Sequence, residues 1–193
     1  MYIVNDKNAI LKKAVPPELQ EENEWTYINV NHPIPHQKMT KLIADEVYPS
    51  QKRLSFKVAV QAIRFHQCSE LLYTGIRPNN LVEIVMMNCL DPTKGEFNLL
   101  TSNLIEIFDS YTEMLLDGDG IRIYVRSIFE DIIQMDNMII TPANMLKIPL
   151  RFTGIHVSGT PTTIKANSKD LFQQIPLIME DQYDCEYEYD NTC

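Results

Sequence analysis

From Glu24 to Val30 apolar and polar positions alternate, with Trp25, Tyr27, Ile28 and Val30 among them. Aromatic and β-branched residues in that rhythm predict a first strand. Pro33 and Pro35 interrupt it, residues 37–47 fit a short helix or a strand, and Pro49-Ser50 punctuates the chain. Leu54, Val58, Ala62, Phe65 and Leu72 fall on one broad helical face, whereas Leu54, Phe56, Val58 and Val60 also alternate like a strand. A helix is expected from about Ala59 onward, its start left open, with Thr74-Gly75 as its end. Asn79 or Asn80 reads as the N-cap of a second helix carrying Leu81, Ile84 and Val85 on one face and closing near Asp91-Pro92. The short join between the two predicts a helix hairpin.

Residues 99–116 fit either helix or strand, and Asp117 to Gly120 reads as a turn. Ile121 to Phe129 and Leu150 to Val157 alternate as strands, Gly159 to Pro161 turns, and Thr162 to Lys165 suits a last short strand. The order predicts an α+β fold: a single domain whose mainly antiparallel sheet packs against a helix hairpin. The expected division is a flexible N-terminal arm over 1–24, a globular domain over 25–179 and an acidic tail over 180–193. The arm is too polar to offset its own ordering entropy.

Composition narrows the class. The 193 residues are 45% hydrophobic, enough for a sizeable core. No apolar run reaches the ~18–20 residues that span a bilayer. Met1 to Lys7 shows no basic segment followed by an apolar one, so no secretory leader is expected. Cys68, Cys89, Cys185 and Cys193 form no CxxC pair, which predicts free thiols in a reducing compartment. The net charge is −9, and most of the excess lies in Glu180, Asp181, Asp184, Glu186, Glu188 and Asp190. The acidity therefore describes a tail, and the rest of the chain is near neutral.

Catalytic signatures fail on geometry. No phosphate-binding glycine loop, nucleophile elbow or HExxH helix is present. His32 and His36 are four apart, but Pro33 and Pro35 forbid the helix that would align them. His66 and Cys68 on a helix would point about 200° apart. Asp117 to Gly120 begins like a calcium loop, yet Ile128 stands where its bidentate acid belongs. Neither a metal nor a cofactor is expected, and catalysis is not; a site assembled from distant carboxylates is the remaining enzymatic alternative.

Three features point to binding. Arg53, Lys57 and Arg64 lie within about 40° of one another on a helix, with Lys52 adjoining. Such a row suits anionic lipid or phosphate, or it is an ordinary solvated face. The link from Met135 to Ile148 is unusually apolar; Met138, Ile139, Ile140 and Met145 would enter a membrane interface or a neighbouring subunit, or fold onto the core. Pro16, Pro17, Glu18 and Leu19 would present an extended polyproline-like ligand from the arm.

Together these pieces resemble the matrix proteins of rhabdoviruses. The resemblance rests on the Pro-Pro-Glu segment in the arm, on Ser55-Phe56-Lys57 before an apolar segment, on Glu70 to Pro78 with its Tyr73-Thr74-Gly75 turn, and on the apolar Asn80 to Leu90. It implies a non-enzymatic structural protein that self-assembles beneath a viral envelope, binds the inner leaflet of the host membrane, holds the nucleoprotein–RNA complex without sequence-specific nucleic-acid contacts, and promotes budding. It further implies residence in host cytoplasm, at the membrane's inner face and in the virion. The family's late motif is Pro-Pro-x-Tyr; Leu19 stands in place of the tyrosine, so the match to a site for host budding machinery is degenerate. The arm is less basic than the family's, and the acidic tail departs from it too. The alternative is a soluble adaptor that docks partners through Tyr183, Tyr187 and Tyr189 in the acidic tail.

Overall fold

A computed structural model describes residues 15–20, 25–28, 55–60, 70–73, 80–91, 93–115, 118–143, 145 and 150–175. Its centre is the strand β3 (Leu81–Met86). Val82, Ile84 and Met86 point to one face, and Leu81 and Glu83 to the other. A strand in mid-sheet is covered on both faces, so its sequence reads as a nearly continuous apolar run.

That coverage corrects the expected second helix. Leu81, Ile84 and Val85 fit helical spacing, but Val82, Ile84 and Met86 fit the strand period equally well, and neighbours on both sides decide between them. β3 is antiparallel to β7 (Ile121–Arg126), with Ile84 opposite Ile123, and to β9 (Met138–Pro142), with Ile84 opposite Ile140. β8 (Ile133–Met135) pairs with β9 as a hairpin. The far edge of β7 is shared by β6 (Thr112–Met114), antiparallel, and β11 (Lys165–Ala166), parallel. These six strands form one sheet.

A second, three-stranded sheet is ordered β1 (Trp25–Ile28), β2 (Glu70–Tyr73), β10 (Leu150–Phe152), all antiparallel. Residues 56–60 are helical, but by Glu70 the chain is a strand. Among the described residues no helix hairpin forms: its second arm is β3, and the end of its first arm is β2. The α+β class and the mainly antiparallel sheet stand.

The principal helix, α2 (Leu99–Phe108), resolves the ambiguous stretch into helix and then strand. Asn98 caps it, its side-chain oxygen accepting from the Thr101 N–H at 2.9 Å. Asp109 ends it in the left-handed conformation, φ 40°, donating its N–H to the Ile105 carbonyl. Thr101, Leu104, Ile105 and Phe108 form its buried stripe. The stripe packs on Val82, Ile84, Ile121, Ile123, Val125, Met138 and Ile140. Burial of each large apolar side chain there contributes about 1.5–3 kcal/mol. Phe172, in the helical segment 169–175, seals the end of this core between Phe108 and Phe129, with ring centroids 5.1 and 4.8 Å away.

The other face of the large sheet meets a separate core of Trp25, Phe56, Val60, Leu81, Tyr124 and Phe152. Trp25 is fully buried, stands edge-on to Phe56 at 5.1 Å, and donates its indole N–H to the Leu19 carbonyl at 3.0 Å. The short helix α1 (Pro17–Gln20) closes this core with Val15 and Leu19. This corrects the extended-ligand expectation for Pro16 to Leu19. Proline suits the first position of a helix, where its missing N–H is not needed, and Leu19 gains more from burial than from solvent.

Candidate functional site

Between the two layers lies a set of buried charges. β6 and β7 are strands whose inward-facing phase on the second side is polar: Glu113 on β6, Arg122 and Tyr124 on β7. Cross-strand register sets Glu113 directly opposite Arg122. Neither side chain is more than 2% exposed.

Every oxygen of the Glu113 carboxylate is engaged. Oε1 accepts from Arg122 Nη1 at 3.2 Å and from the Thr153 N–H at 3.1 Å. Oε2 accepts from the Tyr111 hydroxyl at 2.9 Å and from the Gly154 N–H at 3.1 Å. Arg122 also reaches Glu83 Oε1 through Nε at 2.7 Å and donates to the Arg151 carbonyl at 3.0 Å. The Tyr124 hydroxyl donates to that same carbonyl. The network thus ties β3, β6 and β7 of the large sheet to β10 of the small one. Burial pushes the Glu113 carboxyl up from its ordinary value, opposed by Arg122 and by the N–H and hydroxyl donors. Burial, and then the neighbouring carboxylate, push the Tyr111 hydroxyl well above its usual range.

Tyr111 is also stacked on His156 at 5.5 Å. Thr160 donates its hydroxyl hydrogen to the Val157 carbonyl, so its oxygen faces His156 Nε2, 3.1 Å away, as an acceptor. Pro161 offers a carbonyl to the same nitrogen at 3.0 Å, which makes Nε2 the protonated, donating nitrogen. These groups hold one another and join the two layers.

A depression of about 400 Å³, open to solvent, lies beside the hairpin of β4 (Leu90–Asp91) and β5 (Glu96–Phe97). Cys89, Asp91, Lys94, Phe97 and Asn98 line it. Asp91 Oδ1 accepts from the Thr93 N–H and hydroxyl at 2.8 and 2.6 Å, which holds its carboxyl below the usual range and closes the turn. Cys89 is buried, and burial pushes its thiol up, away from a reactive thiolate. Among the described residues, no group of three or more His, Cys, Asp and Glu gathers as a metal site.

The residues singled out by sequence are scattered. Met138 and Ile140 are fully buried in β9, and Ile139 is half-buried, so this part of the apolar link is a strand inside the sheet. Only Met145, 45% exposed, keeps the outward position expected of it. Lys57 is exposed on the helical segment 56–60; Lys52, Arg53 and Arg64 lie outside the described residues, as do His32, His36, His66, Cys68 and the acidic tail. Gly118 and Gly120 lie in the turn between β6 and β7, the reading given to the calcium-like segment. The Glu113–Arg122 network was missed because the polar phase of an alternating strand reads as solvent-facing. The available signal was a charged residue on each arm of a hairpin with a four-residue turn core, which puts opposite charges across from one another.

No protein-family model matches the chain, and no curated protein matches it.

Proposed function

We propose that this chain is a non-enzymatic assembly protein of the viral-matrix type, one that binds anionic membrane and copies of itself and links membrane to a nucleoprotein–RNA core. The reading is carried by the outer face of the segment 56–60. Phe56, Ala59 and Val60 anchor it in the core, and this leaves Lys57 exposed beside Val58, itself 45% exposed. A cation next to an apolar side chain on a rigidly anchored turn suits the surface of an anionic bilayer, where each base near the surface contributes about 1 kcal/mol. The inward use of Glu113, Arg122 and Glu83 supports the same reading, since these charges bind layers of the fold to one another.

The test is co-flotation with vesicles of phosphatidylserine and phosphatidylcholine across a salt series, with sedimentation to follow self-association. Binding to the anionic vesicles at low salt, weakened by Lys57→Glu and by added salt, is expected. A protein that stays monomeric and floats with no vesicle at any salt overturns the proposal.

A further inference from the structure

The outer edge of the large sheet ends on β8. In the hairpin of β8 and β9 the two-residue turn Asp136-Asn137 joins Met135 to Met138. Met87 donates its N–H to the Asn137 carbonyl at 2.8 Å, so the backbone of Asn137 and Ile139 bonds toward β3. Met138 and Ile140 then bond toward β8, pairing with Met135 and Ile133. By the alternation of an antiparallel ladder, Gln134 is the residue whose N–H and C=O face away from β9. Among the described residues no strand covers that side.

We propose that this edge is a docking site for an extended peptide in which basic and apolar residues alternate. The backbone groups of Gln134 supply strand-addition hydrogen bonds, as sheet edges do for extended ligands. Apolar contact comes from Ile128 and Ile132, 75% and 57% exposed just before the strand. Charge selects the partner. Glu130, Asp131 and Asp136 are exposed along the edge, and no base occurs between Ser127 and Asn137. A second copy paired antiparallel about Gln134 would set Asp136 opposite Ile132 with Glu130 of the partner edge on its diagonal, and so gather the acids of both edges along one seam with no base between them. A Lys- or Arg-bearing strand meets the opposite sign. Such a peptide would dock whether or not the chain coats a membrane.

The test uses the full chain and a fluorescein-labelled peptide of alternating Lys and Val, followed by anisotropy at low salt. Three comparisons probe the two elements of recognition: a Glu-for-Lys peptide, a Lys peptide N-methylated at every second amide, and the Gln134→Pro protein. Proline at an outward-facing edge position removes a docking donor but no ladder bond, and circular dichroism checks its fold. Each comparison is expected to weaken binding about tenfold or more relative to the Lys peptide on the unaltered protein. Because the N-methylated peptide is tested on the unaltered protein, the result stands even if Gln134→Pro unfolds. Equal binding of the methylated peptide overturns strand addition, and equal binding of the Glu peptide overturns the charge assignment. Failure of the Lys peptide to bind, or a dimer abolished by Gln134→Pro in its place, overturns the proposal outright.

Discussion

Glu113 and Arg122 face each other across a hairpin, both buried, with carboxylate oxygen and guanidinium nitrogen 3.2 Å apart. Removing one partner of a buried pair strands the other, which costs about 3–5 kcal/mol. Arg122→Met is expected to lose stability on that scale, read as a fall in the urea midpoint. It leaves both Glu113 and Glu83 without their guanidinium, whereas exposed Lys94→Met, at a surface pair with Asp91, should change the midpoint by less than about 1 kcal/mol.

The same carboxylate makes stability depend on pH. Folding raises the Glu113 pKa above its ordinary 4.5, so the folded chain binds this proton more tightly than the unfolded chain does. The favourable contribution is complete below the unfolded value and is lost as pH rises through the folded value. Relative to Glu113→Gln, which cannot titrate, the unaltered protein should lose stability as pH climbs from 4.5. Urea titrations of both proteins at stepped pH would measure the slope; parallel curves would contradict it.

Ile140 and Met145 separate the core reading of the apolar link from the exposed one. Ile140 is fully buried and Met145 is 45% exposed. Ile140→Ala should cost about 2–5 kcal/mol, and Met145→Ala should stay within about 0.5 kcal/mol. Similar small effects at both positions, measured by thermal or urea unfolding, would return the whole link to the surface.

Gly120 marks the close approach of the β6–β7 turn to β3. A Cβ there would overlap the Met86 carbonyl oxygen and sit 2.7 Å from Leu115 Cδ1. The first contact is backbone, so the strand must shift. Gly120→Ala is expected to destabilise by about 1–3 kcal/mol. Gly95→Ala, with nothing within 4 Å, carries only the cost of its positive φ of 66°.

Much of the fold was legible where one local rule acted alone. Alternation placed β1, β7 and the start of β10, and the turn after Leu115 followed from its glycines. Asn98, with a side-chain oxygen ahead of Leu99, Leu100 and Leu104, marks a helix start, yet the stretch as a whole remained ambiguous because the chain changes to strand at Thr112, three residues after its cap at Asp109. Where two periods fitted the same residues, the local signal could not choose. Leu81 to Met86 satisfies helix and strand spacing together, and only the neighbours β7 and β9, distant in sequence, select the strand.

By itself the sequence determined the α+β class, the apolar content of the core and the concentration of negative charge from residue 180 onward. Those follow from composition and from spacings within a few residues. Tertiary structure alone decided that Met138 and Ile140 are core, that Val15 and Leu19 close the second core, and that Glu113, Arg122 and Tyr124 face a second sheet. The physical reason is common to all three: a side chain is buried or exposed according to what lies opposite it, and in this chain the opposing layer comes from residues far away in sequence.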